Sequence, residues 1–154
     1  MIIPEYKDFL KLKAEIQPQR ALIYDDGWTE NPDIRSTEVR FITRDAYPEV
    51  FRIMQEYGRQ NQARCGIDRV LQIKDHIQLS TYHPGDFYGW HKDARLLSCS
   101  LLLTDGFTGG RLEFRDWGGT LKKKAGRAVF FPNVEHRVRP VLSGVRDSLV
   151  VWWQ

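Results

Sequence analysis

Between Asp45 and Arg64 the apolar residues Val50, Phe51, Met54 and Tyr57 recur at helical spacing, with charged and amide side chains between them. Asp45 can cap such a helix, Pro48 suits its first turn and Gly66 ends it, so the pattern predicts a helix over 45–64. A shorter helix is predicted over 4–14. Beyond Gly66 the periodicity changes to short runs of β-branched, aromatic and aliphatic residues. Six of these read as strands: Val70–Ile73, His76–Tyr82, Leu96–Thr104, Arg111–Arg115, Arg127–Phe131 and Val145–Trp153. A further piece, His136–Val141, leads into the last of them. Turn signals divide the runs at Pro84-Gly85, Asp105-Gly106, Gly109-Gly110, Gly118-Gly119, Ala125-Gly126, Pro132-Asn133 and Ser143-Gly144. This order predicts a mainly β, α+β protein: a double-sheet jelly roll backed by N-terminal helices that cover one sheet face.

The length of 154 residues suits one domain, with helical and strand support over 1–69 and the β core over 70–154. Hydrophobic residues at 42% and charged residues at 28% exclude a largely disordered chain. The formal charge is +3, and the positive residues are scattered apart from Lys122, Lys123 and Lys124, which read as a solvated hairpin, so nucleic acid is not indicated as a partner. Cys65 and Cys99 are too few for a disulfide framework and lack zinc-ligand spacing, which predicts free thiols. Glu5, Lys7, Asp8, Lys11 and Lys13 interrupt any signal-peptide pattern at the start, and no 18-residue apolar run occurs. The expectation is a cytoplasmic monomer without a membrane segment.

Candidate chemistry begins at Gly89-Trp90-His91-Lys92-Asp93. In an extended segment side chains alternate, so His91 and Asp93 project to one face and Lys92 to the other. A lone His-x-Asp is more often an ordinary surface pair, but His136 follows a strongly apolar strand, where an inward-facing imidazole could meet the other two. Two histidines and one carboxylate on one side of a metal, with open positions opposite, are the facial arrangement of non-haem iron(II) oxygenases. Ten residues beyond His136 stands Arg146, followed by Ser148 on the same face of a strand. A buried arginine needs a fixed anion: an internal carboxylate is one reading, and a ligand carboxylate gripped by the planar fork, with the serine hydroxyl assisting, is the other.

Together, His91-Lys92-Asp93, His136 and Arg146-Asp147-Ser148 resemble the HxD…H…RxS pattern of the 2-oxoglutarate oxygenases, in their prolyl 4-hydroxylase-like branch. The flanks are similar to its compact bacterial and phage PKHD-type members: Gln78-Leu79-Ser80-Thr81-Tyr82, Phe107-Thr108-Gly109-Gly110-Arg111-Leu112, and Val129-Phe130-Phe131-Pro132 with His136-Arg137-Val138 and Pro140-Val141. The likeness runs from about Asp33 to Trp153. It implies a double-stranded β-helix of the cupin-like kind, iron(II) on His91, Asp93 and His136, 2-oxoglutarate on Arg146, Tyr82 and Ser148, and O2 as oxidant. Animal prolyl hydroxylases add a second tyrosine on a neighbouring strand. The matching stretch here, Ser98-Cys99-Ser100-Leu101-Leu102-Leu103, has none, which leaves Ser148 or Ser100 for that contact. AlkB-type nucleic-acid demethylases carry a second arginine six residues after the first, where this chain has Trp152, and JmjC-type demethylases use a lysine on an earlier strand.

The resemblance implies hydroxylation of a C–H bond with release of succinate and CO2, on a prolyl residue of a peptide or protein. A free amino acid or small metabolite is the alternative substrate, and a non-catalytic metal-binding module is the third reading. Phe87, Tyr88 and Trp90 adjoin the first ligands and could floor a pocket or pack its rim. His83 and His76 read as exposed, and the polar segment Tyr24–Arg35, with Asp25 and Asp26, could fold over the mouth as a lid or be an ordinary connecting loop.

Overall fold

The structure, a computed structural model, describes residues 1–24, 27–118 and 121–154, so Asp25, Asp26 and Gly119, on which expectations above fall, lie outside the described residues. The first part of the chain runs α1 (Tyr6–Glu15), β1 (Gln19–Arg20), β2 (Ile23–Tyr24), β3 (Trp28–Thr29), β4 (Arg35–Ser36), β5 (Glu38–Ile42) and α2 (Pro48–Asn61). A 3-10 turn, Gln62–Cys65, extends α2. Then follow β6 (Ile77–Tyr82), β7 (Phe87–His91), β8 (Leu97–Leu102), β9 (Thr108–Gly109), β10 (Leu112–Phe114), β11 (Ala128–Phe131), β12 (His136–Val138), β13 (Val141–Ser143) and β14 (Arg146–Trp153).

The main sheet has the order β1-β5-β6-β14-β8-β11, and a smaller one the order β10-β12-β7-β4. All their pairings are antiparallel. Strand alternation divides the main sheet into two chemistries. Ile77, Leu79, Leu97, Cys99, Leu101, Leu149, Val151 and Trp153 pack on the helices with Phe9, Leu12, Val50, Phe51 and Met54, forming the principal core. Each such side chain contributes about 1.5–3 kcal/mol through burial. The alternate residues Ser80, Tyr82, Ser98, Ser100, Arg146 and Ser148 face away from the helices, and there Tyr82 packs with Val138 and Val141 against Tyr88. The jelly roll predicted from the turn-punctuated runs is present, and its inner face is polar.

Several boundaries differ from the expectation. Val70–Ile73 is not a strand: the Gln55 side chain accepts from Ile73 N at 3.0 Å and donates to Leu71 O at 2.7 Å, taking backbone groups that a ladder would use. Asp45 does not cap α2; Tyr47 stands at the cap without a side-chain bond, while Pro48 occupies the first turn as expected. Gly66, at φ 73°, ends the helical stretch in a conformation open to glycine. His136–Val141 is two strands, parted at Pro140, which has no N–H to offer. Strand β5 escaped prediction because Glu38 and Arg40 interrupt its apolar pattern; Arg40 is buried, donating to Ile16 O at 2.9 Å and Glu38 at 2.6 Å. Among the described residues no helix is long and apolar enough to cross a membrane.

Strand β14, which carries Arg146, is anchored at its far end by Trp153 against Gly58 of α2. A methyl group at Gly58 would lie 2.5 Å from Trp153 Nε1 and Cε2, and the fully buried indole has no room to retreat. Gly58→Ala is expected to destabilise the fold by about 1–2 kcal/mol, overpacking outweighing the gain in helix propensity. Urea denaturation measures this, and an unchanged midpoint would mean the indole moves freely.

Candidate active site

Residues His91 and His136 lie directly opposite one another, paired in register where β7 ends and β12 begins. The chain leaves β7 after His91 and returns Asp93 toward both imidazoles: Asp93 Oδ1 is 3.5 Å from His91 Nε2 and 3.6 Å from His136 Nε2. One potential ligand atom from each residue falls within 4.8 Å of the others. The sequence-predicted set is thus brought together at one end of the jelly roll.

Neighbouring bonds fix the state of these groups. His91 Nδ1 donates to Gly89 O at 2.7 Å and His136 Nδ1 to Val134 O at 2.9 Å, which turns each Nε2 toward Asp93. Burial would raise the Asp93 carboxyl, yet His91, His136 and a 2.6 Å hydrogen bond from Ser98 Oγ together hold it below the ordinary carboxylate range. His136 is lowered, chiefly by burial, with Asp93 opposing. Two imidazoles and an ionised carboxylate thus converge on one point, and with their ring nitrogens deprotonated they would offer a divalent cation three donors. Two nitrogens and one oxygen on one side of a site suit iron(II).

Arg146 stands on the inner face of β14, 3% exposed. Its Nη1 donates to Ser148 Oγ at 2.8 Å, its Cζ lies 5.1 Å from the centre of the Tyr82 ring, and Nε is buried without a partner. Among the described residues no carboxylate pairs with it, so the internal salt bridge the sequence left open finds no acid there. Ser100, Leu102, Phe107 and Gly110 join it in lining a cavity rimmed by Arg111, Lys122, Lys123 and Arg127. Gly110, at φ 56°, is required here, because a Cβ would meet Arg146 Cδ at 3.1 Å and Val141 Cγ2 at 2.9 Å. The lysine run is exposed, as predicted, but it also borders this cavity: Lys123 Nζ donates to Phe107 O at 2.9 Å. The cationic rim and unpaired guanidinium suit a small carboxylate.

The aromatic segment divides between two faces. Tyr88 stacks on His91 with ring centres 3.5 Å apart and planes at 11°, whereas Trp90 packs between Arg115 and Arg137, at 4.6 and 4.5 Å from their Cζ atoms. Trp90 thus belongs to an arginine-flanked surface, and all three aromatics lie on strand β7. His83 is exposed, 3.8 Å from Glu38, and His76 is exposed with its ring on Phe41. The end of the predicted lid is strand β4, held to β7 by a 2.8 Å bond from Gly89 N to Ile34 O. Ser98, Tyr88 and Arg35 were not assigned by motif; strand parity could have flagged Ser98, but the others depend on non-local pairing.

A family model for the 2OG-Fe(II) oxygenase superfamily matches residues 77–154. A PKHD-type hydroxylase of Shewanella oneidensis is 34% identical over an 89-residue alignment covering 47% of this chain and 40% of that protein. The chain thus matches less than half the length of that relative. A prolyl-4-hydroxylase of Pseudomonas putida shares the fold with a TM-score of 0.68 at 24% identity, covering 96% of this chain and 82% of that one. So does a Trichoplax adhaerens prolyl hydroxylase, solved with a peptide fragment of the hypoxia inducible factor oxygen degradation domain: TM-score 0.70, 16% identity, 94% of this chain and 73% of that one. These likenesses are of fold, the double-stranded β-helix.

Proposed function

This chain belongs to the 2OG-Fe(II) oxygenase superfamily, and from that premise we propose that it hydroxylates a prolyl residue of a peptide or protein, with His91, Asp93 and His136 holding iron and Arg146, Tyr82 and Ser148 holding 2-oxoglutarate. The observation that carries the oxygenase reading is the buried, carboxylate-free guanidinium of Arg146 inside the same jelly roll as the His-Asp-His cluster. The prolyl reading is supported by the PKHD-type relative and the prolyl hydroxylase folds.

Bound iron and oxoacid supply the oxidation: one atom of O2 enters a substrate C–H bond, the other enters succinate, and CO2 is released. The chain's own residues bind and orient. Arg146 pairs with the distal carboxylate, and Ser148, already bound to its Nη1, fixes the plane of the fork. Backbone carbonyls of Gly89 and Val134 hold the imidazoles with Nε2 turned to the metal side, and Ser98 does the same for Asp93. The closed β wall behind them excludes water from the reacting groups.

Anaerobic reconstitution with iron(II) and 2-oxoglutarate, then oxygen exposure with a library of proline-containing peptides, tests the proposal. The expected result is one added oxygen atom on a peptide, matched by one succinate, and no turnover when manganese or cobalt replaces iron. Full activity in manganese with iron rigorously removed would contradict the mechanism.

A further inference from the structure

A second arginine faces the same interior from the opposite sheet. Arg35 pairs in register with Tyr88, so both project to one face of the small sheet, and Tyr88 lies against the His91 ring. The Arg35 Cζ is 4.3 Å from the Tyr88 ring centre, so only one aromatic ring layer links the guanidinium to a candidate iron ligand. Its Nε is buried without a hydrogen-bond partner, and no ion pair joins it to any carboxylate among the described residues.

Buried polar atoms are rarely left unpaired, and here they cluster. Of the five such side-chain atoms among the described residues, Arg35 Nε, Thr37 Oγ1, Ser80 Oγ and Arg146 Nε lie on segments around this interior; the fifth, Trp153 Nε1, is in the helix-side core. Ser80 adjoins Ser148 in register, Tyr82 adjoins Arg146, and Thr37 immediately precedes β5, which pairs with β6 at Ser80. One oxoacid tail satisfies one guanidinium. Two guanidinium groups on opposite walls, each with an unpartnered Nε and no carboxylate among the described residues, can receive two anions.

We propose that Arg35 receives a carboxylate carried by the prime substrate, so that the hydroxylated residue is a free imino or amino acid or the C-terminal residue of a peptide, rather than an internal one. This rests on the oxygenase reading: a C-terminal prolyl residue narrows the substrate proposed above, and a free acid would replace it. A planar fork beside the metal cluster would grip the carboxylate bidentately and fix which ring or side-chain carbon faces the oxidant. Internal prolyl residues, with an amide in that position, would leave Arg35 unpaired and bind more weakly.

The test is calorimetric titration into manganese- and 2-oxoglutarate-loaded protein with three acid–amide pairs: L-proline and L-prolinamide, N-acetyl-proline and its amide, and Gly-Ala-Pro with a free or amidated C-terminus. At least one acid should bind tenfold or more tightly than its amide, and the pair showing this distinguishes a free acid from a peptide terminus. Arg35→Gln should erase the preference and Arg35→Lys restore part of it, with 2-oxoglutarate affinity of both variants within twofold of the parent as evidence of folding. Lack of discrimination in all three pairs, absent binding included, overturns the inference, as does a preference that survives Arg35→Gln. If 2-oxoglutarate fails to bind the parent protein, the oxygenase reading fails instead.

Discussion

Arg146→Ala is expected to lower 2-oxoglutarate affinity roughly tens- to thousandsfold while iron affinity stays near the parental value. Arg146 is 3% exposed and among the described residues its guanidinium bonds only to Ser148, so truncation would leave the distal carboxylate in a water-poor interior without its counter-charge. Removing one partner of a buried charge pair costs roughly 2–5 kcal/mol, which sets that range. Arg146→Lys should recover part of the affinity, because an ammonium restores charge but not the planar fork. Stability gives an independent check. A structural arginine torn from an internal carboxylate would cost about 3–5 kcal/mol of folding free energy. Among the described residues Arg146 has no such carboxylate, and its own burial lowers its pKa, so the ligand-free Arg146→Ala protein should be as stable as the parent or more so. Calorimetry of 2-oxoglutarate into manganese-loaded protein reads the first effect and urea denaturation the second. Unchanged oxoacid affinity in a folded variant would place the cosubstrate elsewhere.

What the residue pattern could reveal was whatever depended on local periodicity. His91 and Asp93 lie two residues apart in extended chain, so their shared direction follows from alternation alone, and the same holds for Arg146 and Ser148. Opposition of His136 to His91 is a matter of register between β7 and β12, set by a shift between His136 and Val138 that no single strand announces. Pairing of β4 with β7 is likewise non-local, and it alone places Arg35 beside Tyr88. Charges misled at β5, where Arg40 is buried with its own acid and carbonyl partners, and an amide misled at Val70–Ile73, where Gln55 replaces a neighbouring strand. Lys122 and Lys123 were legible as exposed, but their place on the rim of the Arg146 cavity is non-local, with Lys123 Nζ on Phe107 O.

His91→Ala, Asp93→Ala and His136→Ala should each leave a folded protein whose iron affinity falls by more than about a hundredfold. The floor comes from the outer partners: losing a residue that merely orients a metal ligand costs about 10–100-fold, and losing the ligand itself must cost more. Ser98→Ala, which removes the 2.6 Å bond to Asp93, should fall within that smaller range and so calibrates the larger effect. Folding should survive because the three residues contribute little to the helix-side core, and the backbone pairing of β7 with β12 needs no particular side chain. Asp93→Asn separates charge from shape. It keeps the size of the side chain and can still bond Ser98, but the anion is gone, so a nearly isosteric change should weaken iron binding almost as much as Asp93→Ala. Anaerobic iron(II) titration, read by calorimetry or by competition with a chelator, measures all five variants. Parental affinity in two of the three alanine variants would show that the cluster is an ordinary buried His-Asp-His network and that iron, if bound, lies elsewhere.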